Sequence, residues 1–152
     1  MPIAGTRPAL FVYLSSVDKI PKEKRSAVMR RVRSKDTKPE LIVRRLAHKM
    51  GYRYRLHAKE LPGRPDMVFS KRKKIVFVHG CMWHGHEGCP NNRRPHSRQE
   101  YWIPKLEGNK RRDVANMASL NEQGWDVLVI WECEVGNVVE LAERLAGFLG
   151  KP

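Results

Sequence analysis

The stretch that decides the fold is Leu61-Pro-Gly-Arg-Pro-Asp-Met-Val-Phe-Ser-Lys-Arg-Lys-Lys-Ile-Val-Phe-Val-His79. Its two apolar runs, residues 67–69 and 74–78, are separated by a basic turn and predict two adjacent strands. Asp66 stands at the start of the first strand and His79 at the end of the second, so a carboxylate faces a strand end. An Asp that follows proline is also typical of a turn, so Asp66 alone leaves a purely structural role open.

The remainder of the chain predicts further helices and strands around this pair. Thr37-Lys-Pro-Glu40 has the form of a helix-capping box, and the helix that it opens ends at Gly51. The other predicted helices cover residues 22–33, 105–123 and 135–149, and the other predicted strands cover residues 52–56 and 125–131. This order of elements indicates an α/β layer fold with a mixed sheet.

Length and charge limit the possible functions. With 152 residues, we expect a weakly ordered extension over residues 1–16 and a single domain over residues 17–152. The 30 Lys and Arg against 16 Asp and Glu leave a net charge of +14, which favours nucleic acid as the partner. A membrane surface is less favoured because no cationic amphipathic helix with an aromatic face is evident. We expect a cytoplasmic protein, because its cysteines have ligand spacing.

A cluster of histidines and cysteines follows directly after the second strand, in His79-Gly-Cys-Met-Trp-His-Gly-His-Glu-Gly-Cys89. Cys81, His86 and Cys89 have the spacing of zinc ligands, and Cys133 can complete a tetrahedral set. The alternative is that the cysteines are small buried apolar residues. The other two histidines of the segment, His79 and His84, do not fit into a closed four-ligand site, so they are available for acid–base or phosphate chemistry.

The strand pair also has the arrangement of nucleases with the restriction-endonuclease fold. In those enzymes an Asp begins one strand, an acid and a Lys separated by one residue lie on the next, and a Glu often lies on the preceding helix. The two strand ends bind a divalent ion that polarises a phosphodiester and activates water. Here Asp66 is in place, but Phe77 stands at the position of the acid and His79 at the position of the lysine.

Longer motifs identify a family. They are Gly63-Arg-Pro-Asp66, Val78-His-Gly-Cys-Met-Trp-His-Gly-His86, Trp102, Trp131-Glu-Cys133, Arg25-Ser26 and Arg33-Ser-Lys-Asp-Thr-Lys-Pro-Glu-Leu41. In this combination and order the chain resembles the very-short-patch-repair (Vsr) DNA mismatch endonucleases. The resemblance extends from about Asp18 to about Leu149. It implies a restriction-endonuclease-like, PD-(D/E)xK-type three-layer fold with a structural zinc site, and an enzyme that nicks DNA 5′ of the thymine in a T·G mismatch.

The resemblance also implies roles for the clustered residues. Asp66 would bind catalytic Mg²⁺ together with the main-chain carbonyl of Val78, where the family commonly has Thr. His79 would lie beside the phosphate and His84 would activate water, although the division of roles between the two histidines is open. The implied zinc ligands are the same four residues, Cys81, His86, Cys89 and Cys133. Glu40 would support the metal site through water, although its place in the capping box already gives it a structural role.

The expected DNA contacts come from apolar and basic side chains. Met82 and Trp83, inside the zinc loop, and Met29, beside Arg25, would wedge into the base stack next to the mismatch; the alternative is local packing. Arg93 and Arg94 in the basic loop would bind the phosphate backbone.

Two other functions remain open at this stage. One is a different nuclease of the same fold, and the other is a zinc-stabilised DNA-binding module without catalysis, which would leave Asp66, His79 and His84 without a role. We expect a monomer that acts on double-stranded DNA and contacts downstream repair proteins.

Overall fold

A computed structural model describes residues 21–31 and 35–152, without the side chains of Lys22, Arg25, Val28, Met29 and Arg31. The chain forms two compact units that divide after Val32. In the first unit, helix α1 covers Lys22–Arg31. The expected extension over residues 1–16 lies outside the described residues, and the division of the chain into that extension and a domain over residues 17–152 stays a prediction.

The second unit contains a four-stranded mixed sheet with the strands in the order β1-β2-β3-β4. Strand β2 pairs antiparallel with β1 on one side and with β3 on the other, and β4 is parallel to β3. The helices are α2 (Lys38–Lys49), α3 (Cys81–His84), α4 (Gln99–Glu122) and α5 (Val138–Leu149), and the strands are β1 (Arg55–Leu56), β2 (Met67–Phe69), β3 (Lys74–His79) and β4 (Asp126–Trp131). The mixed α/β fold expected from the sequence is therefore confirmed.

Helices cover both faces of the sheet. On one face, α2 and α5 bury their apolar sides against Met67, Phe69, Val76 and Ile130 of the strands. On the other face, Leu120 of α4 joins a second core, which includes Val68, Ile75, Phe77 and Trp125. The apolar strand residues therefore alternate between the two cores, and the second unit has three layers.

Several predicted boundaries are wrong. The edge strand β1 pairs only at Arg55–Leu56, because Tyr52 bonds instead to the end of α2 through its backbone and to the carbonyl of Gly150 through its hydroxyl. Helix α4 begins at Gln99, six residues earlier than predicted, and continues through Pro104, which lies inside it. Helix α5 begins at Val138, after the cap Asn137. The four-residue helix α3 was not predicted.

Candidate active site and metal centre

The carboxylate of Asp66 lies at the open end of the β2–β3 pair. The N–H of Val78 donates a hydrogen bond to Asp66 Oδ2 at 2.6 Å. Because the N–H and C=O of one strand residue point to the same side, the carbonyl of Val78 also faces Asp66. Two hard oxygen donors therefore face each other beyond the last paired residues, Met67 and Val76.

Phe77 could not take part in this site, although it lies across from Asp66 in the strand register. Its side chain is 7% exposed and belongs to the core between the sheet and α4. Gly63 allows the loop to approach this ring closely, because a Cβ at Gly63 would lie 3.1 Å from Phe77. The position where the restriction motif has an acid is therefore a packing position here.

The site raises the affinity of Asp66 for a proton. Burial raises the pKa of Asp66 to about 6, and the nearby charge of Glu40 adds to this rise, whereas the Val78 N–H bond and the charge of Arg44 oppose it. A divalent cation at this carboxylate would favour the ionised form in the same way as any neighbouring positive charge. Perturbed carboxylates of this kind are typical of functional sites.

His79 and His84 lie against each other beside Asp66. Their rings are stacked with centroids 3.9 Å apart and planes within 9°. Burial, followed by the charge of His84, lowers the pKa of His79 to about 4, so His79 is neutral at neutral pH. Because the two rings are parallel, one metal ion cannot lie in both ring planes, and the pair in this arrangement does not form a chelate.

Asp113 of α4 completes this group, and it is a residue that the sequence analysis missed. Its Oδ2 atom lies 2.6 Å from Nδ1 of His84. A carboxylate only accepts, so Nδ1 of His84 carries a proton, and Nε2 is the acceptor whenever the ring is neutral. A possible signal was available, because Asp113 is an acidic residue within a strongly basic segment of a helix, but helix periodicity alone does not select it.

The charge of Glu40 raises the pKa of Asp66, so the two carboxylates interact electrostatically. It caps α2 as predicted: Glu40 N–H donates to Thr37 Oγ1, and its carboxylate accepts from the Asp36 N–H and the Thr37 hydroxyl. It is nevertheless 4% exposed, which is unusual for a capping residue, and Arg44 pairs with it at 2.8 Å. Glu40 therefore caps α2 from a buried position, and its charge also acts on Asp66.

The four predicted zinc ligands come together. Ligand atoms of Cys81, His86, Cys89 and Cys133 all lie within 4.8 Å of one another. His86 Nδ1 lies 3.5 Å from the sulfurs of both Cys81 and Cys133. Tetrahedral zinc with ordinary Zn–N and Zn–S bonds separates such atoms by about 3.6 Å. The cluster could therefore hold one tetrahedral metal ion, and it would join α3 to the turn after β4.

A second contact holds the same two segments together. Glu132, at the end of β4, accepts the N–H of Cys81 at 2.9 Å. The ring of His86 stacks on Trp131 with centroids 4.2 Å apart. The loop that carries His84 is thus fixed at both ends by contacts to the last strand.

The predicted wedge residues lie on α3 at a partly exposed surface. Met82 and Trp83 are both half-buried, and the ring of Trp83 lies 5.9 Å from that of Trp102. Lys105 Nζ lies 5.8 Å from the Trp83 ring and 5.4 Å from the Trp102 ring. This aromatic surface of Trp83, Trp102 and Lys105 is a candidate DNA contact, and Trp102 and Lys105 were not predicted for it.

The predicted basic contacts are partly paired. Arg93 is exposed and its Nε donates to the Pro90 carbonyl at 3.3 Å, while Arg94 pairs with Glu107 at 2.9 Å. Arg25 and Met29 lie in α1, but their side chains are outside the described structure. Within the described residues, no helix is long and apolar enough to cross a membrane.

Comparisons with known proteins identify the family of the chain. The sequence model of the DNA mismatch endonuclease Vsr family matches residues 17–90. The type II nicking enzyme V.XorIIP of Xanthomonas oryzae pv. oryzae is 49% identical over 132 residues, covering 87% of this chain and 96% of the relative. The DNA mismatch endonuclease Vsr of Escherichia coli is 38% identical over 123 residues, covering 81% of this chain and 78% of the relative. The type II nicking enzyme V.NmeAIP of Neisseria meningitidis is 44% identical over 122 residues, with 80% and 86% coverage.

The class defined by these relatives is that of DNA endonucleases, and the predicted resemblance is confirmed. The chain belongs to the DNA mismatch endonuclease Vsr family.

Proposed function

We propose that the protein nicks one strand of double-stranded DNA 5′ of the thymine in a T·G mismatch, of the kind left when 5-methylcytosine deaminates. The observation that carries this proposal is the group formed by Asp66, Val78, His84 and Asp113. In this group the Val78 N–H bonds to the buried Asp66 carboxylate, and Asp113 orients the His84 ring. The mismatch specificity draws its support from the relative of Escherichia coli that bears the name of a mismatch endonuclease. The fold proposed for this site is that of the PD-(D/E)xK nucleases.

Mg²⁺ is the cofactor that we propose for the site at Asp66. The Asp66 carboxylate and the Val78 carbonyl would hold it, because both are hard oxygens directed into the same space at the ends of β2 and β3. When bound, such an ion polarises the phosphodiester and stabilises the charge that develops on it. The absence of a second acid at Phe77 fits a site in which a main-chain oxygen replaces that ligand.

His84 is the proposed general base. Asp113 fixes the proton on Nδ1, so Nε2 of His84 can accept a proton from the attacking water. His79 is neutral and stacked against His84, so it holds the His84 ring in place without adding a competing charge. In this division of roles, His79 lies beside the phosphate as a hydrogen-bonding group.

A zinc ion in the Cys81, His86, Cys89 and Cys133 cluster is proposed as structural. Burial raises the pKa of the Cys81 thiol to about 12, so the thiolate needs a cation beside it to form at neutral pH. The ion would fix α3 against the last strand and so hold His84 in position.

DNA would be held in two ways. The exposed basic side chains, Arg93 and Arg94 among them, would bind phosphates without regard to sequence. Trp83, with Met82 beside it, would wedge into the weakened stack at the mismatch, and Met29 and Arg25 of α1 are proposed for the same contact from their sequence alone. We also propose a monomeric, cytoplasmic enzyme that hands its nicked product to repair proteins.

The deciding experiment compares cleavage of four labelled substrates: a T·G duplex, the matched duplexes T·A and C·G in the same sequence, and a four-way junction. We expect nicking only in the strand that carries the thymine of the T·G duplex, and only when Mg²⁺ is present. The Asp66→Ala variant should bind the T·G duplex as the wild type does but leave it uncut, because it loses a metal ligand and not a phosphate contact.

Each other result has a defined meaning. Equal cutting of matched duplex identifies another nuclease of this family, and preferred cutting of the junction identifies a resolvase. Binding without any cutting, with and without Mg²⁺, identifies a DNA-binding module and contradicts the proposal.

A further inference from the structure

The side chain of Arg44 occupies a position that resembles a metal site. Asp36, Glu40 and His57 present ligand atoms that all lie within 4.8 Å of one another. The Arg44 guanidinium fills the space among them, with NH1 on Asp36 and NH2 at 2.8 Å from both Glu40 Oε2 and His57 Nε2. Because arginine only donates, His57 Nε2 is the acceptor in this contact. The cation of this cluster is therefore Arg44.

Arg44 leaves Glu40 little freedom to turn. One oxygen of Glu40 accepts from the Thr37 hydroxyl at 3.0 Å, and the other accepts both the Asp36 N–H at 2.9 Å and Arg44. The Arg44 guanidinium is held in turn by Asp36 and His57, and the main-chain carbonyl of Arg44 accepts the Tyr54 hydroxyl at 2.8 Å. Both oxygens of Glu40 are thus engaged on the α2 side, although the residue is close enough to raise the pKa of Asp66.

Stability of helix α2 does not account for this arrangement. A capping box needs only the Thr37 and Glu40 side chains, and it is normally solvated. Arg44 is instead 6% exposed and its Nε atom is buried without a hydrogen-bond partner in the described structure. A buried ion pair with an unsatisfied donor is weak support for stability, so a functional reason for Arg44 is favoured.

We propose that Arg44 is a positioning residue that restricts Glu40 to water-mediated contact with the metal ion at Asp66. This inference rests on the proposed Mg²⁺-dependent nicking. With Arg44 present, the Glu40 carboxylate faces α2, and one protein carboxylate, Asp66, is left to bind the ion directly. Without Arg44, Glu40 is an unpaired anion beside Asp66 and turns toward the metal ion as a second direct ligand.

The test is the variant Arg44→Met, which keeps the length of the side chain and removes its charge. Mn²⁺ stands in for Mg²⁺, and its binding to zinc-loaded, DNA-free protein is followed by loss of the free-ion EPR signal. We expect Mn²⁺ to bind several-fold more tightly, while the rate of T·G nicking falls by roughly 10²-fold through misplacement of the ion. Damage to the fold alone would weaken both.

Three further variants make the result specific. Arg45→Met removes a charge from the exposed neighbouring position of α2 and should leave Mn²⁺ affinity unchanged. In the double variant Glu40→Gln, Arg44→Met, no carboxylate is released, so the tighter Mn²⁺ binding should disappear. Arg44→Lys keeps the charge but cannot bond to Glu40 and His57 together. It should therefore bind Mn²⁺ more tightly and nick T·G DNA more slowly than wild type, in both cases by less than Arg44→Met does.

The two proposals fail in different ways. If wild-type protein requires the divalent ion but Arg44→Met binds Mn²⁺ no more tightly, the role of Arg44 is wrong and the proposed function stands. If wild-type protein nicks equally without divalent ions, the proposed function is wrong and the role of Arg44 falls with it. Should Arg44→Met not fold, Arg44→Lys and the double variant decide between the same outcomes.

Discussion

The Oδ2 atom of Asp113 lies 2.6 Å from Nδ1 of His84, although the two residues are 29 positions apart in the sequence. His84 ends the short helix α3, and Asp113 lies in the middle of α4. The contact determines which nitrogen of His84 carries the proton, and therefore which nitrogen can act as a base. It also explains why His84, and not the buried His79, suits that role.

The variant Asp113→Asn tests this relationship. An Asn can present its NH2 group to Nδ1, which would move the proton to Nε2 and remove the acceptor. We expect single-turnover nicking of a T·G duplex to fall by roughly 10²- to 10⁴-fold, with duplex affinity nearly unchanged. Glu122→Gln, an exposed change at the end of the same helix, is the matched control. A rate within a few-fold of wild type for Asp113→Asn would show that His84 does not act through Asp113.

The metal cluster shows how much of a site a sequence can reveal. Cys81, His86 and Cys89 were predictable because they lie within nine residues, where ligand spacing is constrained by the local chain. Cys133 was predictable by elimination, since it is the one remaining cysteine. The same reasoning fails for Asp113, because a chain with 16 acidic residues offers many candidates and only the packing of α4 against α3 selects one.

The fold likewise has parts that the local sequence predicts and parts that only tertiary contacts decide. The β2–β3 pair and the capped start of α2 were predicted correctly, because both depend on residues within a few positions of one another. The short β1 and the early start of α4 were not, because tertiary contacts decide them: Tyr52 bonds to the far end of the chain at Gly150. The buried position of Arg44 could not be predicted from the sequence either, since a helical arginine is ordinarily a surface residue.

Asp66 should destabilise the metal-free protein at neutral pH. Its pKa is about 6 in the folded state, above the ordinary value of 3.8. The stabilising protonated form is fully present below about pH 4, and this contribution is lost as the pH rises through 6. Asp66→Asn keeps an acceptor for the Val78 N–H and never ionises. The free energy of unfolding of this variant relative to wild type should therefore rise by about 2.5 kcal/mol between pH 4 and pH 7.5.

Denaturant unfolding in Mg²⁺-free buffer at several pH values measures this difference. Asp126→Asn, at an exposed position that begins β4, is the control and should show no such growth. If the free energy of unfolding of Asp66→Asn differs from that of wild type by the same amount at every pH, then Asp66 does not have a raised pKa. Added Mg²⁺ should make wild type more stable than Asp66→Asn at neutral pH, because the ion binds only the ionised wild-type site.

Cys133→Ser should remove the proposed zinc ion and release α3. We expect about one zinc per wild-type chain and a large loss of it in the variant, because three ligands hold zinc poorly. The melting temperature should fall and nicking should fall with it, since His84 lies on the released segment. Elemental analysis and thermal unfolding measure both, and Cys89→Ser should give the same result. A zinc-free Cys133→Ser protein with wild-type melting and activity would contradict the structural role.

Trp83 should contribute to mismatch preference more than to affinity. A T·G pair stacks less securely than a matched pair, so inserting a flat ring beside it costs less, and that difference appears as specificity. Trp83 is half-buried beside Trp102 and Lys105, a surface where a ring can be presented without being fully packed. In Trp83→Ala we therefore expect the ratio of T·G to matched-duplex affinity to fall, while matched-duplex affinity changes little.

The comparison variant for Trp83→Ala is Arg93→Gln, which removes an exposed charge from the basic loop. It should weaken binding to all duplexes equally and reduce the slope of log affinity against log salt by about one. Titrations of both variants on T·G and matched duplexes at two salt concentrations separate the two effects. If Trp83→Ala instead keeps its full mismatch preference and melts at a much lower temperature, then the Trp83 ring is a packing residue and the mismatch must be sensed elsewhere on the protein.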